Sequence, residues 1–143
     1  MIDRLALRLH GLLTVTHRAY GLDAEPLLGL LAYDDVELHE VSPGGVLAFV
    51  NDYVLAAWPP DESRVAGRAA YRLIQARLRR RGFTRHMVHP LNFTSVKVTR
   101  KLGAVPIGVD DEGFVHYVLL TERFPHHGQE VATAESAGPD PDQ

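Results

Sequence analysis

The chain has 143 residues, enough for one domain with a real core and too few for two. With 45% apolar and 23% charged side chains and a formal net charge of -3, it has the composition of a soluble globular domain and lacks the strong positive field usual in nucleic-acid-binding domains. Cysteine is absent, which excludes a disulfide framework, a thiolate nucleophile and a Cys-based zinc site and favours a cytoplasmic location.

The opening MIDRLALRLHGLL carries Asp3 and His10 and has neither the apolar run nor the cleavage pattern of a secretory signal. No stretch approaches the roughly 18 apolar residues of a membrane span, so no membrane partner is expected. Ile2, Leu5, Leu9, Leu12 and Leu13 stand at near-helical spacing and predict a short helix over 2–13, although Leu5, Leu7 and Leu9 also alternate as in a strand. Asp23 is placed to cap a second helix over 24–31, with Pro26 early, where its missing N–H costs nothing.

Residues 36–41 alternate apolar and polar side chains and predict a half-buried strand. Two apolar runs, 46–50 and 53–58, flank Asn51-Asp52 and predict an antiparallel hairpin, ended by Pro59-Pro60 because proline cannot donate to a ladder. Ser63 is the expected cap of a long helix over 63–81, with Ala66, Ala69, Ala70, Leu73, Ile74 and Leu78 on its apolar side and Gly82 as its stop. Arg77, Arg79, Arg80 and Arg81 then read either as a solvated face complementing the helix dipole or as a contact for phosphates or an acidic partner. A strand over 83–89 follows, then a helix over 94–102 with Val96, Val98 and Leu102 partly inward. Strands over 105–109 and 114–120 flank a turn at 110–113.

The expected fold is therefore α/β: a mixed, mostly antiparallel sheet of about six strands with helices on both faces. Residues 1–125 form one domain. Residues 126–143 are poor in buriable side chains and are expected to be a flexible or partner-bound tail.

Arg64, Gly67 and Ala69 stand in an R-x-x-G-x-A spacing at the start of the long helix. Helix starts suit anions because the first amides have no intrahelical partner, and glycine admits a phosphate close to the backbone. The competing reading is a helix start that uses glycine for close packing. The order of strand, R-x-x-G-x-A, long helix, strand, Asn92, short helix and Lys101-Leu102-Gly103 resembles the GNAT superfamily of acyl-CoA N-acyltransferases over about residues 45 to 120. The resemblance implies acetyl-CoA as cofactor, with its pyrophosphate at Arg64, Val65, Ala66, Gly67, Arg68 and Ala69. It places Asn92 beside the pantetheine arm, with Ser95 in the same site. Thr99 stands where the family commonly has a tyrosine that protonates the departing thiolate, and Ala104 stands where many members have an aromatic. A narrower resemblance, N-x-x-S at Asn92 and Ser95 and G-A-V at 103–105, is to small acyltransferase-like proteins of short-tailed bacteriophages, including an internal virion protein family. It implies a fold kept after catalysis was lost, with other virion proteins as partners and the virion as location.

Acylation of an amine, whether of a small molecule or a protein, needs a base for the incoming ammonium and often an acid for the thiolate. His39, Glu40, His86, His89 and His116 are the candidate bases, and His89 is expected first because its strand end lies nearest the cofactor. For each of these histidines taken singly, a surface or hydrogen-bonded core residue is the stronger competing reading. Tyr117 is the candidate replacement acid, with a core position as the competing reading. His126-His127 lacks further ligands at metal-binding spacing, so no metal is expected.

Overall fold

The computed structural model describes residues 3–33 and 35–124; the predicted tail and the His126-His127 pair lie outside them. The first helix, α1 (Arg4–Ala19), starts where Asp3 Oδ1 accepts a hydrogen bond from the Leu5 amide at 2.8 Å. It runs a turn and a half beyond the expected end, and Leu9, Leu13 and His17 form its buried stripe. The periodicity fades at TVTHRA because a histidine holds the last core position. That ring donates from Nδ1 to the Leu13 carbonyl at 2.8 Å and packs near Phe114.

Helix α2 (Glu25–Leu28) is a single turn continued by a 3-10 turn over Gly29–Ala32. Three strands follow as an antiparallel meander: β1 (Val36–Ser42), β2 (Gly45–Val50) and β3 (Tyr53–Ala57). Asn51, at φ 53, makes the tight turn between β2 and β3. Helix α3 (Ser63–Arg81) crosses to β4 (Phe83–Val88), α4 (Phe93–Lys101) leads on, and β5 (Val105–Val109) and β6 (Val115–Leu120) form the last hairpin.

Among the described residues the six strands form one sheet in the order β1-β2-β3-β4-β6-β5. Every neighbouring pair is antiparallel except β3 and β4. The fold is thus α/β with a mixed, mostly antiparallel sheet, as the pattern predicted. Strand β2 is buried along its whole length, and its alternate side chains feed two cores. Val46, Ala48 and Val50 pack with Leu9 and Leu13 of α1 on one face, while Leu47 and Phe49 pack with Ala66, Ala70, Ile74 and Leu78 of α3 on the other. Helices therefore cover both faces.

Three local expectations are corrected. The start of α3 is not capped by Ser63, whose hydroxyl donates to the Pro60 carbonyl at 2.8 Å; Glu62 holds the cap position without a side-chain bond to the helix. A 3-10 turn over Pro60–Glu62, set up by the proline pair, feeds the helix directly. Arg77 does not join the solvated arginines: it is buried, stacked over Phe49 and paired with Glu37. Val98 faces outward at 45% exposure, whereas Val96 and Leu102 pack on the core. The stop at Gly82 holds, with φ 86 and its amide bonded to the Leu78 carbonyl.

Candidate functional site

Strands β3 and β4 lie side by side and run in parallel, and among the described residues they share one register pair, Tyr53 with Arg85. The Arg85 amide donates to the Asp52 carbonyl at 2.7 Å beside it. Beyond this point, toward their carboxyl ends, the two strands share no further register pair. Helices α3 and α4 both begin there, because each follows its strand after a short proline-containing loop. Crevices outside the carboxyl ends of parallel strands are where open α/β sheets take ligands.

The sequence-predicted cofactor residues stand at the starts of the two helices that follow β3 and β4. Arg64 and Val65 occupy the mouth of α3 and are exposed, Ala66 turns fully into the core, and Arg68 is exposed. Gly67 lies one turn inside the helix, because the 3-10 turn starts α3 early, so its amide is part of the helical ladder and its contribution is the missing side chain. A Cβ at Gly67 would meet nothing within 4 Å. Close packing within the chain therefore does not explain the glycine. The Glu62 carboxylate, which could have filled the helix mouth, turns away to accept from Ser42 Oγ at 2.5 Å and the Gly44 amide at 2.7 Å. Those two bonds hold its pKa below the ordinary carboxylate value.

Asn92 caps α4, its Oδ1 accepting from the Ser95 amide at 3.4 Å, and is buried. Its carbonyl oxygen thus serves the fold. Thr99, the position of the missing tyrosine, is also buried. Two exposed arginines and a glycine with no neighbour at its Cβ position thus stand in the first turns of α3, whereas the Asn92 side chain is committed to its own helix.

The face of the sheet turned toward α2 carries a cleft of about 500 Å3, lined by Tyr53 of β3, Met87 of β4, His116 of β6 and residues of the α2 and β5–β6 segments. Met87 stands two residues past Arg85, on the unpaired side. Three side chains in the cleft form a chain of contacts. Tyr53 Oη lies 3.4 Å from His116 Nδ1, and His116 Nε2 lies 2.9 Å from Asp110 Oδ2. Asp110 is itself fixed, its other oxygen accepting from the Glu112 and Phe114 amides at 3.0 Å each. Burial would raise the Asp110 carboxyl, but the bonds from His116 and the two amides outweigh it and hold its pKa below the ordinary value. An ionised carboxylate only accepts, so the neutral His116 ring has its proton on Nε2 and its Nδ1 lone pair toward Tyr53.

The other candidate bases are placed differently. His89 follows β4, borders an adjoining cleft of about 200 Å3 with Asp23 and Glu112, and stands edge-on to Phe114 at 5.2 Å. Its Nδ1 accepts from the Leu91 amide at 3.1 Å, so the neutral ring has its proton on Nε2 and no lone pair to offer a substrate. Glu40 lies on edge strand β1, paired with Arg8 at 2.8 Å and separated from β4 by two intervening strands. His39 is tied to Glu37 at 2.6 Å. His86 is buried against Thr84 Oγ1 at 2.9 Å, and desolvation lowers its pKa to about 4. Tyr117 is in the α3-side core, next to His116 in sequence and therefore on the other face. Sequence reasoning missed Tyr53 and Asp110. The alternation in VHYVL put His116 and Tyr117 on opposite faces, but nothing local joined His116 to a residue 63 positions away.

Among the described residues no helix is long and apolar enough to cross a membrane, and no group of three His, Asp or Glu side chains is placed to hold a metal ion. No family model matches the chain, and no curated protein or solved structure shows significant similarity to it.

Proposed function

We propose that this chain is an acetyl-CoA-dependent N-acyltransferase of the GNAT type, acting on an amine. The observation that carries the reading is the opening between β3 and β4: two parallel neighbours part after one register pair, with the starts of α3 and α4 beyond it. That opening would admit a thioester arm, and Arg64, Val65 and Arg68 with the bare face of Gly67 would receive the diphosphate by charge and close approach. The cofactor would supply an activated acyl carbonyl. The chain would bind and orient it and accept a proton from the amine.

Calorimetry with coenzyme A tests this. Wild-type protein should bind it, and Gly67→Glu, which adds bulk and negative charge on the open face, should abolish binding while its thermal midpoint stays near that of wild type. Absence of heat and of thermal shift at millimolar coenzyme A would refute the assignment.

A second reading is a catalytically silent protein of the same architecture serving assembly, as in a phage virion. It is favoured by the edge strand β5, whose Ile107 and Val109 are 59% and 70% exposed, the kind of unpaired apolar edge that partners cover. Co-sedimentation with virus particles, lost in Ile107→Lys, would select this reading.

A further inference from the structure

We infer that Tyr53, His116 and Asp110 form the proton-removing relay for an amine held in the cleft on the α2 side of the sheet, and that the amine carries a second positive charge. The inference rests on the acyltransferase reading and adds to it a base and an acceptor class. Neither His89 nor Glu40 serves as the base, because the first has its lone pair bound to a backbone amide and the second is ion-paired on a distant strand.

The geometry has the three parts a base needs: an orienting carboxylate, an imidazole in one tautomer and a hydroxyl open to the cleft. Asp110 holds Nε2–H at 2.9 Å, which leaves Nδ1 as acceptor for the Tyr53 hydroxyl. The separation there is 3.4 Å, the long contact usual before a substrate draws such groups together. Tyr53 belongs to the single β3–β4 register pair and Met87 lies two residues past it in the same cleft, so an amine resting on Tyr53 Oη would lie beside the point where pairing of the two strands ends.

The charge of the cleft names the acceptor. Its lining includes Asp23, Glu25, Asp110 and Glu112 and neither lysine nor arginine, with Tyr33 and Tyr53 beside them. Asp110 is committed to His116. The remaining three carboxylates and two aromatic rings suit a second ammonium group in addition to the one that reacts.

The step balances as follows. The ammonium gives one proton to Tyr53 Oη as the Tyr53 proton passes to His116 Nδ1. The freed nitrogen lone pair forms the C–N bond at the thioester carbonyl while the C–S bond breaks. Of the three ammonium protons, one stays on the amide nitrogen, one ends on the thiol sulfur, and the one taken up by His116 is released to water.

The test uses the full chain with acetyl-CoA, and diaminobutane and butylamine as acceptors. Diaminobutane should be acetylated with a KM at least tenfold below that of butylamine, and Glu112→Gln should narrow that gap by raising the KM for diaminobutane more than that for butylamine. Tyr53→Phe and His116→Gln should each lower kcat about 100-fold, the usual worth of a general base, with coenzyme A affinity unchanged. Asp110→Asn should lower kcat with little change in the KM for diaminobutane, a split that loss of folded protein would not produce. Full kcat in Tyr53→Phe and His116→Gln, or failure of either amine to react while coenzyme A still binds, would overturn the relay alone. Absence of coenzyme A binding in wild-type protein would overturn it together with the acyltransferase reading.

Discussion

The Arg77 guanidinium carbon lies 4.1 Å from the centre of the Phe49 ring, with Nη2 2.9 Å from Glu37 and Nη1 3.3 Å from the Asn51 carbonyl. An arginine of α3 is thus part of the core, bridging the helix to β1 and to the β2–β3 turn. The planar cation covers an aromatic face, and the stem fills space that an exposed arginine would leave to water.

Arg77→Ala should therefore destabilise the fold by about 2–3 kcal/mol through lost packing and lost cation–π contact. Arg77→Lys should recover only part of this, since an ammonium cannot stack or fork. Arg79→Ala, at an exposed position on the same helix, should stay within about 0.5 kcal/mol. Urea unfolding of the three variants gives the comparison.

His86 makes the protein sensitive to acid. Its folded-state pKa is lowered from 6.5 to about 4 by desolvation, so below pH 6.5 the unfolded chain binds the proton that the buried ring refuses. Stability contributed by the neutral ring is present above pH 6.5 and is lost as pH falls toward 4, by about 3 kcal/mol across the window. His86→Gln should flatten unfolding free energy between pH 6.5 and 4 relative to wild type. Glu37 and Asp110 are held below ordinary carboxylate values, Glu37 by its bond from His39 and, against burial, by Arg77. Their contribution is lost further into acid, with the same sign, and should survive in the His86 variant.

Gly67→Ala should separate stability from binding. The site is helical and an added methyl meets nothing within 4 Å, so the fold should gain about 0.5–1 kcal/mol from the better helix former. The same methyl stands where the proposed diphosphate approaches, and coenzyme A affinity should fall. Thermal unfolding and calorimetry on one sample read both quantities; a gain in stability with unaltered affinity would remove Gly67 from the binding site.

Gly103→Ala should have the opposite effect on the fold. Gly103 has φ 94, and a Cβ there would lie 2.3 Å from the Arg123 carbonyl oxygen, a backbone atom that cannot swing aside. Strain and clash together should cost at least about 2 kcal/mol, measurable as a lowered urea midpoint. The glycine of the K-L-G run is thus required by the turn after α4, whatever the chain binds.

Periodicity determined most of the architecture. Apolar spacing marked α3, alternation marked β1, and Asn51-Asp52, Pro59-Pro60 and Gly82 marked ends, because these signals act through neighbours within a few residues. The length of α1 was not legible, since a buried histidine took the place of an apolar residue at its third core position. Arg77 was misread for a similar reason: a charge reads as solvent-facing until the ring and carboxylate that receive it, from other strands, are known.

The site divides along the same line. The choice of Arg64 to Ala69 and Asn92 as candidates used only strand-to-helix junctions visible in the chain itself. That β3 and β4 part after Tyr53 and Arg85, and that Tyr53, Asp110 and His116 share one cleft, depend on strand order and sheet face. These relations join residues dozens of positions apart, and only the packing of the sheet between two layers of helices decides them.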